Sequence, residues 1–93
     1  MNTHKIIFRV HAVERMFERR VSARNLAQAL ASGETIEDYS AEMPEPGRLI
    51  LGFQGQRPFH VVTSENPETS ETTIITVYIP DPRRWTRDFK RRK

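Results

Sequence analysis

Ninety-three residues are enough for one domain, 1–93, near the lower end of what can bury a core of its own. Hydrophobic residues make up 37 % of the chain, so that core must be lean. The lack of cysteine excludes disulfides, thiolate zinc sites and cysteine nucleophiles, and it suits a reducing compartment, so the cytoplasm is the expected location. Apolar runs such as Ile6-Ile7-Phe8 and Leu49-Ile50-Leu51 are far too short for a membrane span, and no signal-peptide-like segment is expected.

The formal net charge is only +3, and its distribution says more than its sum. Lys5, Arg9, Arg15, Arg19, Arg20 and Arg24 face only Glu14 and Glu18 in the first 24 residues. Arg83, Arg84, Arg87, Lys90, Arg91, Arg92 and Lys93 form a basic C-terminal tail, 83–93, against Asp88. Between them Glu34, Glu37, Asp38, Glu42 and Glu45 carry no cation among them. Such a chain can build a one-sided field that steers an anionic partner.

In chain order, residues 5–10 are too short for periodicity to separate a strand from a helix lead-in. From His11 to Arg20 the spacing predicts a helix, with Val13, Met16 and Phe17 on an inward stripe. Ser22 is placed to cap a second helix to about Ser32, with Val21 stapling onto Leu26 and Gly33 as a left-handed stop. Strands are expected over 35–40, 48–54 and 58–64, with a proline-fixed turn at Pro44-Glu45-Pro46-Gly47 and a hairpin at Gly55-Gln56-Arg57. A polar loop at 65–71 leads to Thr72–Ile79, whose β-propensity marks it as the central strand. Asp81-Pro82 suits the start of a short helix to about Phe89. The expected fold is α+β, an N-terminal helical hairpin packed on an antiparallel sheet of about four strands, with a short C-terminal helix.

Three groups of residues could carry chemistry. His11, Arg15 and Arg19 recur at i, i+4 and i+8, which aligns an imidazole and two guanidiniums on one helix face. By spacing alone this is first a solvated face with Glu14 and Glu18 as ion-pair partners, but a row of planar forks also matches a phosphodiester backbone. His60, between Phe59 and Val61-Val62, is either a general acid or base or a half-buried imidazole holding a backbone carbonyl. The tail interleaves Arg83, Arg84, Arg87, Lys90 and Arg91 with Trp85 and Phe89, as a phosphate-gripping surface or a solubilising end. Arg20 extends the N-terminal cation set, and Tyr78 can donate to a phosphate or pack. His4, His11 and His60 without thiols give no metal set, and Gly52 and Gly55 match no nucleotide cradle. No metal and no cofactor are expected.

The ordered pieces His11-Ala12-x-x-Arg15-Met16-x-x-Arg19, Val21-Ser22, Leu26, Ala29-Leu30, Gly33-Glu34-x-Ile36-Glu37-x-Tyr39, Leu49-x-Leu51-Gly52, His60-Val61-Val62 and Ile75-Thr76-Val77-Tyr78-x-Pro80-Asp81 with Trp85 resemble the domain-of-unknown-function family numbered 4258. One departure is Arg20, where that family often has glycine. The family looks related to the RelE/ParE and BrnT toxin superfamily, which implies helices packed on an antiparallel sheet, a neighbouring antitoxin and, in some members, RNA cleavage. The resemblance therefore implies a metal-independent endoribonuclease toxin of mRNA-interferase type, a hydrolase with candidate site residues His11, Arg15, Arg19, His60 and Tyr78. His60 or His11 would be the base or acid, Arg15 and Arg19 would stabilise the phosphorane, and Arg20 and the tail would grip flanking phosphates. The alternatives are a non-catalytic nucleic-acid-binding or protein-interaction module, and a toxin of ParE type that binds a protein target. RNA and a cognate antitoxin, as an acidic segment over the basic face, are the expected partners.

Overall fold

The computed structural model describes residues 5–39 and 47–93. The chain opens with strand β1 (Lys5–Phe8), followed by helices α1 (Val10–Arg19) and α2 (Ala23–Ser32). Four strands complete it: β2 (Glu34–Asp38), β3 (Gly47–Gln54), β4 (Arg57–Asn66) and β5 (Glu71–Tyr78). They form one mixed sheet in the order β1-β5-β4-β3-β2. β1 runs parallel to β5, and the other pairings are antiparallel.

This corrects the expected architecture. The sheet has five strands, not about four, and it is not purely antiparallel, because a strand precedes the helices and adds itself beside the last strand. The helices are not an N-terminal hairpin. They carry the chain from the β1 edge to the β2 edge, and each packs on the sheet, α1 against β5 and α2 against β3. β4 rather than β5 is the central strand. Propensity reports how well a strand suits a pleated surface, and not which neighbours it acquires. Strands β4 and β5 also reach into the expected polar loop, leaving a turn at 67–70 in which Asn66 Oδ1 accepts from the Glu68 N–H (3.0 Å). The expected turn at Pro44-Glu45-Pro46 lies outside the described residues, while Gly47 opens β3.

No helix forms after Asp81; residues 80–93 are turns and bends. Arg83, Arg87 and Arg91 would lie one helical turn apart, where like charges repel. Short polar side chains capture the backbone instead. Asp81 Oδ1 accepts from the Arg83 N–H (2.9 Å), Asp88 Oδ1 from the Lys90 N–H (3.1 Å), and Thr86 Oγ1 from the Arg91 N–H (3.2 Å). Trp85 and Arg92 pair as an isolated bridge, which closes the segment into a folded loop.

The joint between the helices follows the sequence closely. Ser22 Oγ accepts from the Asn25 N–H (3.1 Å), and Val21 and Leu26 are both buried. Arg20 ends α1 in the left-handed region (φ 57°, ψ 43°), and its N–H caps the Met16 and Phe17 carbonyls. A side chain is strained there, so Arg20→Gly is expected to raise stability by about 1 kcal/mol in urea unfolding. Gln54 Nε2 and Arg57 Nη2 each donate to the Arg20 carbonyl (2.6 Å), clamping the β3–β4 hairpin onto the joint. Gly33 is not the left-handed stop expected; its φ is −72°.

The core lies between helices and sheet: Ala12, Met16, Val21, Leu26 and Ala29 against Ile50, Phe59, Val61, Ile74 and Val77. Gly52 allows this approach, since a Cβ there would sit 2.6 Å from Ala29 Cβ and 2.8 Å from Phe59 Cζ. The expected inward stripe of α1 is only partly inward. Met16 is buried, but Val13 is 51 % and Phe17 87 % exposed. Among the described residues no helix is long and apolar enough to cross a membrane.

Candidate nucleic-acid interface

Two irregularities in the sheet decide what its helix-free face displays. Phe59 and Val61 point into the helix-side core, so His60 between them points to the other face. Strict alternation along β5 would put Tyr78 with Ile74, on the helix side. A register shift at Val62/Thr63 intervenes, so that Val77 pairs Val61 and Tyr78 pairs His60. A second shift between Thr35 and Glu37 sets Glu34 beside Leu51 and Glu37 beside Leu49, both on the face of His60. The segment after β5 folds over this face, with Trp85 3 % exposed.

His60 is fully buried there, and both ring nitrogens have partners. Nε2 lies 2.9 Å from the Phe89 carbonyl and Nδ1 3.1 Å from the Tyr78 hydroxyl. A carbonyl only accepts, so Nε2 carries the proton and Nδ1 accepts from the hydroxyl. Trp85 and Tyr78 meet the ring edge-on, at 4.4 and 5.1 Å between centroids. Burial pushes the His60 pKa down, partly offset by the Phe89 bond, so the ring is neutral near pH 7. Burial also raises the Tyr78 pKa. The arrangement holds a backbone carbonyl and offers no open ring nitrogen.

Arg92 fastens the end of the segment. Its Nε and Nη2 donate to the two Glu37 oxygens (3.0 and 3.3 Å), and its guanidinium lies 4.7 Å from the Trp85 ring centre. The Arg92 bonds hold the Glu37 carboxyl below its usual range, with help from the Tyr39 hydroxyl that donates to it. Tyr39 in turn is pushed up to about 12, by burial first and the neighbouring Glu37 second. Lys90 Nζ pairs with Glu34 at 3.0 Å. Glu34, Glu37, Tyr39 and Arg92 were not among the candidate site residues read from the sequence, because a bulge leaves no local signal and Arg92 is one cation among seven.

The loop so anchored is a cationic platform. Its two carboxylates are occupied within it: Asp81 accepts from the Arg83 backbone and side chain, and Asp88 from Thr86 and Lys90. Those bonds hold both carboxyls below their usual range. Arg83 is 90 % exposed despite its 3.4 Å contact with Asp81. Arg84, Arg87, Arg91 and Lys93 are exposed and have no carboxylate partner among the described residues.

The α1 row lies on the other side of the sheet. Ala12 and Met16 bury the underside of α1 on the core, which turns His11, Arg15 and Arg19 outward. Arg15 pairs with Glu18 at 2.6 Å, while exposed His11 and Arg19 have no such partner among the described residues. The structure therefore brings His60 to Tyr78 and the tail, and separates them from His11, Arg15 and Arg19 by the thickness of the sheet. Arg20 sits at the helix joint, on the α1 side.

A family model described as Domain of unknown function (DUF4258) matches residues 8–79, which leaves the platform outside the matched stretch. No curated protein and no solved structure matches the chain. With three-quarters of its length covered, from the end of β1 to the last residues of β5, the chain belongs to the DUF4258 family.

Proposed function

We propose that this domain binds single-stranded RNA along its phosphate backbone, through the cationic platform of residues 80–93, and that His60 holds that platform in place without taking part in turnover. The observation that carries the reading is the set Arg84, Arg87, Arg91 and Lys93, exposed on a folded loop and in no ion pair among the described residues. The aromatic side chains of the loop support its fold and do not stack bases: Trp85 is buried, and Phe89 is half-buried. Recognition would then follow charge spacing and not base sequence. The choice of RNA, a relation to the RelE/ParE and BrnT superfamily, and the cytoplasm as location are part of this proposal and rest on the sequence resemblance and the cysteine-free composition.

Four phosphate contacts on a single strand predict a slope of log K against log salt of roughly −3. The triple variant Arg84→Ala/Arg87→Ala/Arg91→Ala should reduce that steepness by about 2 and leave the fold intact, as read by fluorescence anisotropy with a labelled oligoribonucleotide. Unchanged affinity and slope would remove the platform from the interface.

A second reading is favoured by one observation, the exposed His11 in line with Arg19, which is in no ion pair among the described residues. Here α1 cleaves RNA: His11 takes the 2′-hydroxyl proton, the 2′-oxygen attacks the adjacent phosphorus, and Arg15 and Arg19 stabilise the phosphorane. The P–O5′ bond then breaks, with the His11 imidazolium or water protonating the leaving 5′-oxygen, which leaves a 2′,3′-cyclic phosphate. Cleavage that resists EDTA and disappears in His11→Ala would establish it. An oligoribonucleotide recovered intact after prolonged incubation supports the binding module.

A further inference from the structure

Phe8, Val10, Val13 and Phe17, large hydrophobic residues exposed among the described ones, lie away from the platform. Phe8, Val13, Met16, Phe17, Val21 and Ala23 line an open groove of about 350 Å³ between the end of β1, α1 and the start of α2. Phe17 is 87 % exposed and Val10, on the same helix, 77 %. A chain with a lean hydrophobic content that leaves a phenylalanine almost bare beside other apolar residues marks a surface that another molecule covers. β1, which borders the groove, is an edge strand that pairs with β5 alone among the described residues.

The charges beside the groove choose the occupant. Arg9 follows Phe8, Arg20 precedes Val21 and Arg24 follows Ala23, and none of the three side chains has a carboxylate partner among the described residues. Of the nearby acids, Glu18 is taken by Arg15, leaving Glu14 alone. We infer that this groove receives an acidic segment of another protein, which inserts apolar side chains over Phe17 and Val13 and sets its carboxylates against Arg9, Arg20 and Arg24. A second copy of this chain fits less well, because it would bring the same three cations toward their equals. The lining is aliphatic around its phenylalanines and carries no side-chain donor or acceptor, which suits apolar anchors better than base edges.

Selection of a displayed library of random linear peptides on the full chain, with a Phe17→Asp variant as counter-target, tests this. Winners should combine Asp or Glu with apolar anchors. Their synthetic peptides should lose affinity about 30-fold against Phe17→Asp and against Arg20→Glu/Arg24→Glu. Phe17 is solvent-facing, so the variant should keep the circular dichroism of the parent. No enrichment over the counter-target, or winners without acidic residues, would overturn the inference. So would a dimer in sedimentation equilibrium that Phe17→Asp dissolves, which would assign the groove to a second copy. Loss of oligoribonucleotide binding in Phe17→Asp would assign it to RNA. Because the platform lies on the opposite face, RNA binding that fails while peptide selection succeeds would refute the proposed function and leave this inference standing.

Discussion

His60→Ala is expected to lower stability by roughly 4 kcal/mol, a large part of what a domain of this size possesses. The imidazole is fully enclosed, so truncation leaves a cavity beside Trp85 and Tyr78. It also leaves the Phe89 carbonyl and the Tyr78 hydroxyl without their partner inside that cavity. Urea unfolding followed through Trp85, the single tryptophan, measures the loss, and a change below about 1 kcal/mol would contradict the anchoring role. The same ring sets a pH dependence. Its folded pKa lies below the usual histidine value because burial opposes the charge. Above about pH 6.5 the ring is neutral in both states and its full contribution is present. As pH falls below that, the unfolded chain takes up a proton that the folded ring resists, so stability declines until the folded pKa is passed. Glu37, held low by Arg92, adds a further loss in more acidic solution, as pH falls from the ordinary carboxylate range through its folded pKa. His60→Gln should flatten the first of these declines and leave the second.

Gly33→Ala should cost about 3 kcal/mol, although the backbone there is extended and open to any residue. A Cβ at this position would fall within 3.0 Å of the carbonyl oxygens of Ala29 and Leu51 and of Ile50 Cγ2. The first carbonyl accepts the Gly33 N–H that closes α2 (2.7 Å), and the second belongs to the β3 register that pairs Leu51 with Glu34. Neither can retreat without loosening the helix end or the edge of the sheet. Thermal unfolding of the variant checks this, and a stability equal to the parent would show that the α2–β2 joint can shift.

The platform and the two helices were legible to different degrees, for physical reasons. Ser22, Val21 and Leu26 announce the start of α2 because a cap and its staple are local, set by neighbours a few residues apart. The hairpin at Gly55-Gln56 is equally local, with Gly55 taking the positive φ (65°) its turn requires. Val13 and Phe17 misled because helical periodicity defines an apolar stripe without saying how wide a strip of sheet lies beneath it. β1 is at the edge, α1 packs on its neighbour β5, and Val13 and Phe17 stay exposed.

By itself, then, the sequence determined the α+β class, the cap and joint of the helices, most strand spans and the concentration of cations at the two ends. Only the tertiary structure decided that β1 joins the sheet beside β5, that β4 lies at its centre, and that the tail folds as a loop and not a helix. It alone decided, too, that two register shifts send Tyr78, Glu34 and Glu37 to the face of His60 while α1 turns its own cations to the opposite side. These outcomes depend on pairing between residues tens of positions apart, where a one-residue slip reverses the face of every side chain beyond it, and no local pattern of the chain encodes where such a slip occurs.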